Sequence, residues 1–216
     1  MTTFIISGGQ LDLTFAGEVL CKEEEVTVIA ADRGAEACAL LGVMPDYVIG
    51  DFDSISEEGK EFLANYHGNM VTLHPVKDDT DTEAALHLAF DKTEGDIVIL
   101  GGIGTRLDHV IGNISILRQG ITKNRKVILL DAYNRIQVVS DCLTIDRETQ
   151  FGKYVSIFPM GGVAKGVRLQ GFYYPLEDAT LVGDSSLGVS NEIVEEKGEI
   201  SVREGCLLVI ESRDEK

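Results

Sequence analysis

The sequence predicts an α/β protein: an N-terminal, mainly parallel sheet flanked by helices, followed by a C-terminal all-β sandwich. Two observations support this class. Over roughly the first 130 residues, short β-branched runs alternate with helically spaced stretches, as in parallel strands covered by helices. From about Asn134 no helical period persists, and short strand candidates are separated by Gly, Asp and Asn turns. We therefore predict two domains, 1–132 and 133–216.

The strands of the first half are short and apolar, as expected of strands buried on both faces. They are predicted at Phe4–Ser7, Val26–Ala30, Tyr47–Ile49, Met70–Leu73, Ile97–Leu100 and Val127–Leu130. Apolar residues recur at helical spacing between them. The predicted helices are Glu36–Leu41, Glu57–Tyr66, Thr82–Lys92 and Val110–Gln119. Ligands of such sheets bind beyond the carboxyl ends of the strands, so the loops after the strands are the expected site.

The second half is predicted to contain only short strands joined by turns. These strands are Ile136–Val139, Leu143–Ile145, Tyr154–Pro159, Gly166–Leu169, Ala179–Leu181, Glu192–Glu195, Glu199–Arg203 and Cys206–Glu211. The run Phe172-Tyr173-Tyr174 lies among them, and we interpret its aromatics as core or turn packing rather than as a platform for a cofactor.

The composition is that of a folded, acidic protein. Of 216 residues, 44% are hydrophobic and 25% are charged, and the formal net charge is −17. Excess carboxylates disfavour binding to nucleic-acid phosphates and to anionic membranes. No apolar run approaches the roughly 20 residues that span a bilayer. We therefore expect no nucleic-acid or membrane partner; the acidity suits a cationic ligand or bound metals, but solubility alone also explains it.

The N-terminus and the cysteines predict a cytoplasmic location. Met1–Ile6 has no basic residue before its short apolar run, so it is expected to be a first strand rather than a signal peptide. Cys21, Cys38, Cys142 and Cys206 are widely separated and show no metal-binding spacing. Reduced cysteines that serve as packing residues are typical of cytoplasmic proteins.

Two carboxylates, Asp51 and Asp53, directly follow the predicted strand Tyr47–Ile49. Successive strand side chains alternate, so Asp51 and Asp53 are expected to point the same way, roughly 6–7 Å apart. Two unpaired anions at that distance repel by about 2–3 kcal/mol at an effective dielectric constant near 20. A hard cation, an arginine or open water would offset the repulsion, and Mg²⁺ bound through carboxylates and substrate phosphates suits the pair.

Three further acidic loops follow predicted strands. They are Ala31-Asp32-Arg33-Gly34-Ala35, Lys77-Asp78-Asp79-Thr80-Asp81 and the run from Gly101 to His109. Strand ends of one parallel sheet lie side by side, so these loops are expected to line a common crevice. Acidic residues interleaved with Arg33, Lys77 and Arg106 are typical of a site for metal and polyphosphate together.

Each of these residues also has a simpler interpretation. Asp81 and Asp108 stand where helix N-caps are expected, and Asp is a favoured cap. Gly104 fits an ordinary turn, because the glycine-rich run lacks the spacing of a phosphate loop or a dinucleotide fingerprint. His109 alone fits a hydrogen-bonded structural residue. Only the joint pattern favours a functional site.

The ordered set of motifs resembles the thiamine pyrophosphokinase family over nearly the whole chain. The motifs are Ala31-Asp32-Arg33-Gly34-Ala35, Gly50-Asp51-Phe52-Asp53-Ser54, Asp79-Thr80-Asp81, Gly104-Thr105-Arg106-Leu107-Asp108-His109 and Gly188-Val189-Ser190-Asn191. The resemblance implies an N-terminal nucleotide- and Mg²⁺-binding domain, a C-terminal thiamine-binding domain, and a homodimer that holds thiamine at the subunit interface. It also implies transfer of the diphosphoryl group of ATP to thiamine, which yields thiamine diphosphate and AMP.

The resemblance also implies roles for single residues. Asp51, Asp53 and Asp81 would hold Mg²⁺ and act in catalysis, with Asp108 beside them. The nucleotide would be contacted by Asp32, Arg33, Gly34, Thr105, Arg106, Asp108, His109 and Asn113. Ser190 and Asn191 would contact thiamine. Two positions depart from the family: Glu36 stands where members often have Asn or Asp, and Lys77 stands where some place a polar thiamine contact.

Two other functions fit parts of the pattern. Asp-x-Asp after an apolar strand also resembles the nucleophile loop of haloacid-dehalogenase-type Mg²⁺-dependent phosphatases, but Ser54 follows and the β-rich half offers no matching Lys and acidic pair. A nucleotide-binding regulator without catalysis is the other alternative. The complete acidic set argues against it, because binding alone tolerates the loss of some carboxylates.

Overall fold

The computed structural model describes residues 1–53, 55–73 and 79–215. Lys77 and Asp78, which belong to one of the predicted acidic loops, therefore lie outside the described residues, as does Ser54. The chain forms two compact units. The first comprises Met1–Ile116 and Arg125–Ala132, and the second comprises Leu117–Asn124 and Tyr133–Lys216.

The first unit alternates strands and helices. Its strands are β1 (Thr2–Ile6), β2 (Val26–Ala31), β3 (Tyr47–Gly50), β4 (Asn69–Thr72), β5 (Asp96–Leu100) and β6 (Val127–Leu130). Its helices are α1 (Leu13–Leu20), α2 (Gly34–Leu41), α3 (Glu57–Ala64), α4 (Asp81–Lys92) and α5 (Leu107–Ile116). All six predicted strands and all four predicted helices are confirmed, with ends shifted by a few residues. The helix α1 was not predicted.

The six strands pair in parallel in the order β6-β5-β1-β2-β3-β4. The central strand β1 pairs with β2 on one side and β5 on the other, in register from Thr2 to Ile6. The chain winds outward from β1 through β4 and then returns to β5 on the opposite side of β1. This reversal is a topological switch point, and the crevice between the carboxyl ends of β1 and β5 is where ligands of open parallel sheets bind.

The inner strands are fully buried, which explains their near-continuous apolar sequence. Phe4, Ile5, Ile29 and Ile99 are at most 1% exposed. Burial of each such side chain is worth about 1.5–3 kcal/mol. The sheet is therefore a rigid support for the loops that leave its carboxyl edge.

The described residues of the second unit form the short helix α6 (Gln119–Thr122) and eight strands. These are β7 (Asn134–Val139), β8 (Cys142–Asp146), β9 (Tyr154–Pro159), β10 (Ala164–Gln170), β11 (Leu176–Leu181), β12 (Asn191–Glu192), β13 (Lys197–Ser201) and β14 (Leu207–Ser212). The order is β12-β9-β14-β7 in one antiparallel layer and β11-β10-β13-β8 in the other.

The two layers share one core, which confirms the predicted sandwich. Val155 and Val209 come from one layer and Val167 and Ile200 from the other, and all four are at most 1% exposed. Phe172 belongs to the same cluster. None of the helices in the described part of the chain is long and apolar enough to cross a membrane.

Candidate active site

A cleft of about 740 Å³ opens at the carboxyl edge of the first unit's sheet, at the switch point between β1 and β5. Four loops line it, each following a strand or preceding a helix. The lining residues are Ser7–Gln10, Ala31–Arg33, Asp79–Thr82, Gly101–Gly102, Gly104–Arg106, His109 and Asn113. The structure therefore brings together most of the predicted nucleotide-binding residues and Asp81.

The floor of the cleft consists of backbone that only glycine allows. Gly9 donates its N–H to the Gly101 carbonyl at 2.9 Å, and a Cβ on Gly9 would lie 2.3 Å from that oxygen. Gly101 has φ +70°, and a Cβ there would lie 2.5 Å from the Ser7 carbonyl oxygen. Glycine thus lets the loops after β1 and β5 touch, and it leaves main chain rather than side chains along this part of the cleft.

Asp32 and Arg33 form the turn from β2 into α2. Asp32 has φ +48°, an uncommon conformation for a residue with a side chain, and its N–H donates to the Ile49 carbonyl at 2.8 Å. Arg33 is exposed and lines the cleft. Gly34 lies just behind the lining, where a Cβ would be 1.8 Å from the Ile6 carbonyl oxygen. The glycine therefore lets α2 begin against the end of β1.

The α4 helix begins at the cleft, but Asp81 is not its N-cap. The cap is Thr80, whose side chain accepts a hydrogen bond from Glu83 N–H at 3.2 Å. The N-cap interpretation of Asp81 is therefore wrong, because the preceding threonine takes that position. Asp81 lies instead in the first turn and lines the cleft. The neighbouring Thr82 hydroxyl is 2.6 Å from the Ser7 hydroxyl, which fixes this helix end to the end of β1.

Arg106 and Asp108 form a bidentate ion pair at the start of α5. Arg106 Nε donates to Asp108 Oδ1 at 3.2 Å, and Arg106 Nη2 donates to Asp108 Oδ2 at 2.6 Å. The hydrogen bond from Arg106 holds the pKa of the Asp108 carboxyl below its usual value. The same bond raises the pKa of the Arg106 guanidinium. Both side chains are exposed, so solvent screens the pair and it is open to exchange with a ligand.

Asn113 supports the loop after β5 from one turn further along α5. It is buried, and its Nδ2 donates to the Gly102 carbonyl at 2.7 Å. Thr105 and His109 also line the cleft, where both are exposed. Asn113 therefore shapes the glycine-rich loop, whereas Thr105 and His109 are accessible to a ligand.

Asp51 and Asp53 lie in the loop after β3, which is adjacent to β2 in the sheet. They are not among the residues that line the cleft. The expectation that Asp51 and Asp53 point the same way as residues of one strand is wrong in its premise, because β3 ends at Gly50 and Phe52 has φ +61°. The Asp53 N–H instead donates to Asp51 Oδ1 at 3.3 Å, within a tight turn.

The start of the Asp51–Asp53 loop lies next to Asp32, which lines the cleft. A Cβ on Gly50 would lie 3.0 Å from Asp32 Cα, so the backbone before Asp51 passes directly beside the turn that carries Asp32. Beyond the loop, Glu36 Oε1 accepts the Ser56 N–H at 2.6 Å, which joins α2 to the start of α3. Glu36, a departure from the family, therefore binds backbone here.

The proposed metal ligands Asp51, Asp53 and Asp81 all lie among the residues that the structure describes. In that part of the chain, no three His, Cys, Asp or Glu side chains come together closely enough to hold one ion. Mg²⁺, however, commonly uses only one or two carboxylates and completes its octahedron with substrate phosphates and water. The oxygen donors of Asp51, Asp53 and Asp81 suit this kind of site.

In the second unit, Ser190 and Asn191 differ in exposure. Ser190 is exposed and has φ +55°, and its N–H donates to the hydroxyl of the buried Ser156 at 3.0 Å. Asn191 is only 3% exposed. The preceding segment is fixed to β9 as well, since Ile157 N–H donates to the Gly188 carbonyl at 2.9 Å.

The aromatic run divides between the core and a turn, the two kinds of packing predicted for it. Phe172 is in the sandwich core, but Tyr173 and Tyr174 are each 65% exposed. Their rings pack edge to face with centroids 4.8 Å apart. They project because β10 and β11 are joined here by a turn, so consecutive side chains cannot all face the core.

Sequence reasoning missed the loop after β1, which supplies Ser7–Gln10 to the cleft. The signal was Gly8-Gly9 directly after a buried strand. Two adjacent glycines also fit an ordinary turn, and their importance follows from the central position of β1, which only the strand order reveals.

Comparison with known proteins gives one consistent family. The thiamin pyrophosphokinase catalytic domain matches residues 20–129, and the thiamin pyrophosphokinase vitamin B1 binding domain matches residues 142–207. Thiamine pyrophosphokinase of Bacillus subtilis is 32% identical over 192 residues, which cover 89% of this chain and 90% of the relative. Thiamine pyrophosphokinase 1 of Oryza sativa is 26% identical over 79% of this chain and 67% of its own length.

Solved structures of similar fold belong to the same family. The crystal structure of the Bacillus subtilis enzyme superposes with a TM-score of 0.89 at 30% identity, covering all of both chains. That of thiamin pyrophosphokinase from Geobacillus thermodenitrificans gives 0.88 at 29% identity, over 100% of this chain and 99% of the other. Two matching domains in the expected order and a relative of nearly equal length place this chain in the thiamine pyrophosphokinase family.

Proposed function

We propose that this chain is a thiamine diphosphokinase that transfers the β,γ-diphosphoryl group of ATP to the hydroxyl of thiamine and releases AMP. The observation that carries the proposal is the cleft at the switch point, where a glycine backbone floor meets Arg33, Arg106 and Asp81. Its composition suits a polyphosphate. The match of the vitamin B1 binding domain in the second half of the chain supports thiamine as the acceptor.

The nucleotide phosphates would lie over the glycine floor, between the two arginines. Guanidinium groups bind phosphate oxygens bidentately, and both arginines are on loops that the sheet positions. Asp32, Gly34, Thr105, Asp108, His109 and Asn113 complete the proposed nucleotide site. Gly34 and Asn113 act by shaping the backbone, since one lies behind the lining and the other binds the Gly102 carbonyl.

Mg²⁺ is the proposed cofactor, with Asp51, Asp53 and Asp81 as its protein ligands and substrate phosphates as the remainder of its shell. When bound, the ion neutralises charge on the phosphate oxygens. Because the three carboxylates do not converge among the described residues, the polyphosphate is needed to complete the site. We therefore expect Mg²⁺ to bind far more tightly in the presence of nucleotide.

The reaction is an in-line displacement at the β-phosphorus. The thiamine hydroxyl oxygen forms a bond to the β-phosphorus, and the bond from that phosphorus to the oxygen bridging to the α-phosphate breaks. AMP leaves with that electron pair. The hydroxyl proton passes to a carboxylate, for which Asp51 and Asp81 are the candidates. Arg33 and Arg106 hold the phosphate oxygens as negative charge shifts toward AMP.

Thiamine is assigned to the second domain, with Ser190 and Asn191 as the proposed contact segment. The family resemblance further implies a homodimer with thiamine at the subunit interface, in the cytoplasm. Light scattering of the purified chain, with and without thiamine, tests the dimer. A monomer in both conditions contradicts it.

Nucleotide analysis tests the function. The chain is incubated with ATP, thiamine and Mg²⁺, and the products are separated by chromatography. Equimolar AMP and thiamine diphosphate support the proposal. ADP as the product contradicts diphosphoryl transfer, and absence of turnover favours the regulator. Trapping by beryllium fluoride, expected only of an aspartyl nucleophile, would instead support the phosphatase.

A further inference from the structure

The side-chain amide of Asn191 makes three hydrogen bonds to the protein's own backbone. Its Oδ1 accepts the Tyr174 N–H at 3.0 Å and the Glu192 N–H at 3.0 Å. Its Nδ2 donates to the Tyr174 carbonyl at 2.7 Å. An asparagine side chain has two donor hydrogens and two acceptor lone pairs, so both acceptors and one donor are used. The amide is also buried, which leaves little of it for a substrate.

These bonds join two segments that are well separated in sequence. Asn191 begins β12, directly after the exposed Ser190, whereas Tyr174 is in the turn between β10 and β11. A second link is parallel to the first, since Tyr173 N–H donates to the Glu192 carbonyl at 2.9 Å. The turn that carries the two exposed tyrosines is therefore fixed beside the strand that follows Ser190.

We propose that Asn191 is a positioning residue for thiamine, which holds the Tyr173–Tyr174 turn beside Ser190 so that both present one surface to the substrate. The inference rests on the proposed function and deepens it by changing the role of one assigned residue. Thiamine is an aromatic cation, and exposed tyrosine rings attract such groups through their π faces. Asn191 itself makes no side-chain contact with the substrate.

A double-mutant cycle separates positioning from contact. Asn191→Ala removes the three bonds of the amide, and Tyr174→Ala removes an exposed ring and keeps the backbone groups that Asn191 binds. Each single variant should raise the KM for thiamine, by roughly threefold to tenfold, the effect of losing one modest interaction. The KM for ATP should be unchanged, because the nucleotide residues are in the first unit.

The double variant gives the decisive result. If Asn191 acts through the turn, the loss of the Tyr174 ring makes its position irrelevant, and the double variant resembles the weaker-binding single variant. If Asn191 contacts thiamine itself, the two increases in KM multiply, and the proposal is overturned. Unchanged KM for thiamine in folded Asn191→Ala overturns it as well.

Two further variants complete the test, one as a substitute for Asn191→Ala and one as a control. Asn191→Asp keeps both accepted bonds but turns the donor opposite the Tyr174 carbonyl into an acceptor, so it also weakens the link to the turn. It replaces the alanine variant in the cycle if that protein does not fold. Asn65→Ala removes an exposed asparagine of the first unit, whose Nδ2 donates to the Glu61 carbonyl, and should leave the KM for thiamine unchanged. Wild-type formation of AMP from ATP and thiamine is measured first, and its absence contradicts the function itself, whereas multiplying effects contradict only the role of Asn191.

Discussion

Arg106 and Asp108, two residues apart, bind each other through two hydrogen bonds at the rim of the nucleotide cleft. A phosphate group that binds the Arg106 guanidinium must displace the Asp108 carboxylate or share the arginine with it. The exchange costs little because both groups are exposed to water. Under the proposed function, the pair holds Arg106 at the rim as a phosphate ligand before the nucleotide binds.

Replacement of Arg106 by glutamine should affect both partners of this pair. The Asp108 pKa should rise toward its ordinary value, because the hydrogen bond that lowers it is lost. In the wild type the pair persists at neutral pH and is lost as the pH falls through the lowered pKa of Asp108, whereas in R106Q the carboxyl protonates at a higher pH. NMR titration of the side-chain carboxyl measures the difference.

The same variant should weaken ATP binding. Loss of a charge-assisted contact to phosphate should raise the KM for ATP by roughly 10- to 100-fold. Arg203→Gln is the matched control, since Arg203 forms an exposed ion pair with Asp178 at 2.8 Å in the second unit. Equal KM values for ATP in R106Q and R203Q would remove Arg106 from the nucleotide site.

Asp53→Ala should reduce turnover by orders of magnitude and leave the fold intact. Asp53 is exposed, so its removal creates no cavity, but the proposed Mg²⁺ site loses a ligand. Circular dichroism checks the fold, and calorimetry checks whether Mg²⁺ still strengthens nucleotide binding. Asp91→Ala, at an exposed carboxylate near the end of α4, is the control. Near-normal activity of D53A with Mg²⁺ contradicts the assigned role.

Two helical glycines of the first unit should respond oppositely to alanine. At Gly34 the new Cβ would meet the Ile6 carbonyl oxygen at 1.8 Å, so backbone must shift, at a cost of about 1–3 kcal/mol or more. At Gly112 no atom beyond the adjacent residues and the helix's own backbone lies within 4 Å of such a Cβ, and alanine should stabilise the helix by up to about 1 kcal/mol. Urea unfolding measures both. A G34A protein as stable as G112A would show that α2 does not depend on this close approach.

The four cysteines should divide into two pairs in reactivity. Burial raises the pKa of the Cys38 thiol to about 12, so it stays protonated and unreactive at neutral pH. Cys206 is also buried, whereas Cys21 and Cys142 are exposed. A thiol reagent should therefore label two cysteines rapidly in the native protein and four after denaturation. Rapid native labelling of Cys38 would show that α2 opens readily.

The fold class was predictable because its signals are local. β-Branched runs such as Val127–Leu130 coincide with the observed β6. The helix α1 was missed although Asp12 caps it by accepting the Phe15 N–H at 3.0 Å. Its eight residues place only Ala16 and Leu20 in buried positions, which is too little periodicity to separate a helix from a strand.

The site was predictable only in part, because its geometry depends on contacts distant in sequence. Motif order predicted the loops that carry Asp32, Asp81 and Arg106. No local rule shows that Phe52 adopts a left-handed backbone and so turns the Asp51–Asp53 pair out of strand geometry. The bonds between Asn191 and Tyr174 likewise join residues 17 positions apart.

The close contact of Gly9 with Gly101 restricts which amino-acid substitutions the floor of the cleft can accept. The floor of the cleft is main chain, and a Cβ on Gly9 or Gly101 would lie within 2.5 Å of a carbonyl oxygen, so a side chain at either position requires the backbone to shift. Under the proposed function, nucleotide affinity can be adjusted at the rim, where the side chains of Arg33 and Arg106 are exposed and a substitution meets no packed neighbour. We therefore expect any side chain at Gly9 or Gly101 to disturb the backbone, whereas substitutions of the two arginines should change ligand affinity without disturbing the fold.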